Sequence, residues 1–156
     1  MTGLPESEQR NTMRHMSNIE LFDEYTARIL AQLYEAFPRK SLLDARIICG
    51  HETTDDFGQV LDDEGKPSAH FEVALATIDW LTETGYIRAE NRRQWGFSGA
   101  VLTAQGLLVL KAVPDSIQPS EAVGDRMTRL VKAGSISAAK EAAKAAISAG
   151  VGMFVR

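Results

Sequence analysis

Residues 70–113 read HFEVALATIDWLTETGYIRAENRRQWGFSGAVLTAQGLLVLKAV, and their order decides the fold. Phe71, Ala74, Leu75, Ile78 and Leu81 recur at helical spacing, and Gly85 follows where a left-handed residue closes a helix. Segments 86–90 and 97–103 are β-compatible, so 91–96 is expected to form the tip of a hairpin. Thr103 can cap a further helix, which Leu107, Leu108 and Leu110 fasten to the core before Pro114 stops it. Helices are thus expected at 69–84 and 103–112 with a hairpin at 86–102 between them. Leu75, Ile78, Leu81 and Leu108 are expected to be inaccessible.

Upstream, 19–37 places Phe22, Ile29, Leu33 and Ala36 on one helical face, and Pro38 ends it. Ser41 is expected to cap a short helix over 41–49 that Gly50 closes. Between this helix and the next lies 51–69, with Asp62-Asp63-Glu64-Gly65 as the expected reversal and Gln59-Val60-Leu61 as a small edge strand. Residues 1–18 are polar and aperiodic and read as a loose arm, with Met13 and Met16 as alternative starts. After Pro119, two helices opened by Ser120 and Ser135 form a helical tail over 120–156, separated by Gly134.

The pattern over residues 19–113, in particular G-Y-I at 85–87, the hairpin, and L-T-A-Q-G at 102–106, resembles the winged-helix domains of bacterial regulators of the MarR and PadR groups. The resemblance implies a mainly α fold with a small β-hairpin wing (α+β), at 19–114, extended here by the C-terminal helices. It implies no particular activity, because this fold serves transcription factors and protein-docking modules alike.

The chain of 156 residues is 44% apolar and 24% charged, ordinary for a globular protein with a core. Its formal charge of −4 is uneven: 51–66 hold six acids against Lys66, whereas 120–156 hold six bases against three acids. One cysteine, Cys49, excludes an internal disulfide, and a cytoplasmic location is expected. No secretory leader or spanning segment is legible.

Three surfaces are candidates for function. The expected outer face of the third helix carries Val73, Thr77, Trp80 and Thr84 beside Glu72, Asp79 and Glu83, with no Lys or Arg. A polyanion would be repelled there, so this face suits a protein partner, or Trp80 simply covers the wing or the 51–69 segment. Arg88, Arg92, Arg93, Gln94 and Trp95 form a basic, aromatic-bearing tip that can meet nucleic acid, or be an ordinary solvated hairpin. In the tail, Ala138, Ala142, Ala145 and Ala149 lie beside Ile147, Val151 and Phe154. Such a face suits self-association or docking on a partner, and packing on its own domain or lying on an anionic membrane are the alternatives. A chain ending at Gln118 is then expected to be a folded monomer.

Catalytic equipment is thin. Cys49 and His51 sit near one another without a nucleophile motif, and the acids of 51–66 match no calcium-loop spacing. No phosphate loop, zinc spacing or nucleotide fingerprint appears, so neither a cofactor nor a metal is expected. The resulting expectation is a non-enzymatic winged-helix protein acting through a protein partner or a second copy of itself. The alternative is a small bacterial DNA-binding regulator that uses the wing arginines.

Overall fold

A computed structural model describes residues 16–113 and 120–154. The first helix, α1 (Asn18–Ala36), begins one residue before the apolar periodicity, because Ser17 and Glu20 form a capping box. The Ser17 Oγ accepts from the Glu20 amide at 3.2 Å, and the Glu20 carboxylate accepts from the Ser17 amide at 2.9 Å. Leu21, Tyr25, Ala27, Ile29, Leu30, Ala31 and Leu33 are all buried, which takes in nearly the whole circumference of the helix. A helix buried around most of its circumference is a central helix.

Residues 41–44 are not helical. Ser41–Asp44 form a strand, β1, with Leu43 inward and Leu42 outward, and the cap belongs to Asp44. Its carboxylate accepts from the Arg46 amide at 3.0 Å and opens the short helix α2 (Ala45–Cys49), which Gly50 closes in the left-handed region. Two adjacent leucines satisfy the two-residue period of a strand as well as a helix, and pairing with a distant strand decides between them.

Helix α3 (Ala69–Glu83) is capped by Ser68 and ends before Gly85 at φ 86°. The strands β2 (Ile87–Arg88), β3 (Asn91–Arg93) and β4 (Gly96–Leu102) follow, so the hairpin tip is only Gln94 and Trp95, shorter than the expected 91–96. β4 is central: β1 pairs along one edge, and β2 and β3 pair in succession along the other, all antiparallel. Thr103 caps α4 (Ala104–Lys111), accepting from the Gly106 amide at 3.0 Å. Ile78, Leu81 and Leu110 are fully buried, but Leu75 is half-buried and Leu108 is 57% exposed. With Val109 and Leu110 turned into the core, Leu108 cannot face the same side of the helix.

The last two helices are α5 (Val123–Lys132) and α6 (Ile136–Phe154), with Gly134 at φ 74° between them. Ser120 does not cap α5; the cap position is Ala122, which offers no side-chain hydrogen bond. Both helices pack on α1 and share one core with the rest. The tail is therefore part of the same core and not a separate element.

Segment 51–68 is a pair of matched turns. Asp55-Asp56-Phe57-Gly58 and Asp62-Asp63-Glu64-Gly65 each place glycine at positive φ. In each, the first aspartate accepts from the amides two and four residues on, at 2.8–3.0 Å. Val60 and Leu61 make the short bridges expected of an edge strand. Part of the acidity of this segment is thus turn chemistry.

Candidate interaction surface

The face anticipated on the third helix divides. Thr77 is buried and its hydroxyl donates to the Val73 carbonyl at 2.7 Å, while Val73 and Thr84 are half-buried. Trp80 is the most open of the four, at 36% exposure. The physical reason is composition: α3 is apolar around most of its circumference and is packed by both α1 and α2, so the Val73–Thr77 flank turns inward. The Trp80 ring meets Phe22 of α1 edge-on at 5.2 Å and stacks over Tyr86 at 6.0 Å. Trp80 thus covers α1 and Tyr86, the first residue of the expected hairpin.

Tyr86 then joins this region to the last helix. Its hydroxyl donates to the Ile147 carbonyl at 3.1 Å, and its ring lies so close to Gly150 that a Cβ there would fall 2.2 Å from the phenolic oxygen. Burial raises the Tyr86 hydroxyl above the ordinary phenol range, so it remains a donor. Ile19 (70% exposed) on α1, Trp80 on α3 and Val151 (49% exposed) on α6 are thus left open on three elements, and the buried Tyr86 joins two of them, its ring under Trp80 and its hydroxyl on the Ile147 carbonyl. No sequence motif joins Trp80 to Ile147; Tyr86 does so through space.

The expected tail ladder splits in two. Ala139, Ala142, Ala143, Ala146 and Gly150 face inward, whereas Ala145 and Ala149 face outward with Ser148 and Val151. Ala138 and Ile147 sit at the boundary, half-buried. The side chain of Phe154 lies outside the described residues. The inward alanines let α6 seat closely on α1, and the outward side also carries Glu141 and Lys144.

Asp23 lies beneath this region, 6% exposed, with its Oδ2 in no hydrogen bond and the Lys144 ammonium 3.9 Å away. Burial raises its carboxyl above the usual range, and Lys144 and Lys140 only partly oppose this. The folded state therefore favours the protonated acid, and stability is lost as pH rises above the unfolded value near 3.8. Asp23→Asn is expected to be more stable than the parent chain at pH 7, with the difference closing below pH ~4. Thermal melts at the two pH values check this; lower stability of the variant at pH 7 would mean that the Lys144 contact dominates.

The basic tip is largely engaged internally. One Arg92 nitrogen binds Asp79 of α3 at 2.8 and 3.1 Å, and its guanidinium lies over Phe97. Arg93 donates to Ser98, and the Trp95 indole N–H donates to the Gly58 carbonyl at 3.0 Å. Arg46, forked onto Asp44, stacks on the Trp95 ring at 3.9 Å. Arg88 and Gln94 are exposed. Trp95 is therefore not poised as a wedge for a base step. Its indole holds segment 51–68 against the hairpin.

His51 turns away from Cys49. Its Nδ1 lies 2.5 Å from the Ser68 hydroxyl, and its ring stacks on His70 at 5.1 Å. Burial raises the Cys49 thiol, which disfavours the nucleophilic thiolate. Among the described residues no group of three or more His, Cys, Asp or Glu could hold a metal, and no helix is long and apolar enough to cross a membrane. Comparison with protein-family models, curated proteins and solved structures finds no match for this chain.

Proposed function

We propose that this chain is a non-enzymatic winged-helix protein that works by protein–protein contact, and that its open residues Ile19, Trp80 and Val151 meet a second copy. The observation that carries this reading is their exposure: an aromatic residue and branched aliphatics left open on three elements, two of them joined by Tyr86. Exposed Glu20 and Glu83 on α1 and α3, and half-buried Lys140 on α6, give these elements both signs, so a twofold arrangement can set acid against base. The helix–strand–helix–helix order and the central β4 support the winged-helix reading. DNA reading is disfavoured because Asp79 already neutralises Arg92 and α3 itself is acidic.

Light scattering is expected to give more than the monomer mass for the full chain. Val151→Asp should return the monomer with thermal stability nearly unchanged, since a half-exposed site costs about 0.5 kcal/mol or less. A monomer at all concentrations, or an oligomer indifferent to Val151→Asp, would refute the reading. Tight, salt-resistant and sequence-selective binding to mixed duplex DNA would replace it with the regulator.

A further inference from the structure

A cavity of about 130 Å³ lies between segment 51–68, the first turn of α3 and the hairpin tip. Its apolar walls are Val60, Pro67, Phe71 and Trp95, its neutral polar ones Gln59, Ser68 and Gln94, and Glu72 brings the one charged side chain. We propose that it takes the ammonium head of a lysine-type side chain, methylated or not, presented by a partner peptide.

Four observations converge on that class of ligand. The volume suits one side-chain head and is too small for a nucleotide or a drug-sized molecule. Aromatic walls attract a cation through the ring quadrupole, and the indole of Trp95 already holds one in Arg46, which is not among the cavity walls. The Trp95 N–H is committed to the Gly58 carbonyl, so it is not offered to an anion. Among the described residues no hydrogen bond or ion pair engages the Glu72 carboxylate. An ammonium would pair with that carboxylate, which a neutral occupant cannot do. The surrounding segment, with six acids against Lys66, supplies a negative field that draws cations and repels anions.

The test is a two-dimensional NMR titration of the full chain with three probes: N-acetyl-lysine methylamide, its Nζ-trimethyl form and its neutral Nζ-acetyl form. The two charged probes are expected to shift the Trp95 indole N–H and the Phe71 and Glu72 amides saturably in the millimolar range, and the neutral probe to leave them unmoved. Glu72→Gln, an exposed substitution that spares the core, should weaken both charged probes about fivefold. Equal shifts with the neutral probe, no shifts with any probe, or affinity unchanged by Glu72→Gln would each overturn the proposal. Because Glu72 is not among the open residues assigned to the pairing, Glu72→Gln should leave the oligomeric mass unaltered. A changed mass would show that the variant disturbs assembly and is not a local reporter, and the assignment of Glu72 as the ligand carboxylate would fall.

Discussion

A chain ending at Gln118 is expected to lose its cooperative unfolding transition and to aggregate, contrary to the folded monomer that the sequence alone suggests. The cut removes α5 and α6, whose Val123, Met127, Leu130, Ala139, Ala142, Ala143 and Ala146 are all buried. The first three of these contribute about 5–9 kcal/mol of burial at the usual value per side chain. That is comparable to the whole stability of an ordinary domain, about 5–15 kcal/mol. The loss is also two-sided. Asp23, Tyr34 and Glu35 mark the flank of α1 that meets these helices, through Lys144, Gly124 and Lys132. Ala27, Leu30 and Ala31 lie along the same flank by helical period and would be opened to water. Circular dichroism melts and size exclusion of the truncated chain check this. A sharp transition within a few degrees of the full chain would mean that α5 and α6 are dispensable to the core.

Gly96→Val is expected to be the most damaging single substitution in the sheet, at about 3 kcal/mol or more. A Cβ at this position would stand 1.8 Å from the Leu43 carbonyl oxygen and 2.9 Å from its carbon. Both are backbone atoms, so no rotamer change relieves the clash. β1 must separate from β4 at the Asp44–Gly96 and Leu43–Phe97 pairs, and Leu43 would leave the core with it. Gly50→Ala makes the contrast: φ is 79°, nothing lies within 4 Å of its Cβ, and the cost is only the left-handed penalty of about 1–2 kcal/mol. Denaturant titration of the two variants separates the mechanisms, and equal losses would indicate that β1 yields easily.

What the sequence determined by itself is the set of relations spanning a few residues. The periodicities of α1 and α3, the Thr103 cap, the Gly50 and Gly85 exits, the turn at 62–65, and the antiparallel pairing of 87–88 with 101–102 were all legible. Caps act over three residues, helical stripes over three or four, and hairpin pairs over a short loop, so one window contains both partners.

Tertiary structure decided the rest, because the partners there are distant. Ser41 pairs with Ala100, which makes a strand of residues that would otherwise read as a capped helix. Arg92 is held by Asp79, and Trp95 by Gly58, contacts over 13 and 37 residues that no local pattern of the tip announces. The alanines of α6 all lie on one side of the helix, so their pattern cannot state how much of that side turns inward. The closeness of Gly150 to the ring of Tyr86 does, and it leaves Ala145, Ala149 and Val151 outside. A small side chain has too little apolar area to announce its own burial, and its place is set by whichever larger neighbour needs the room.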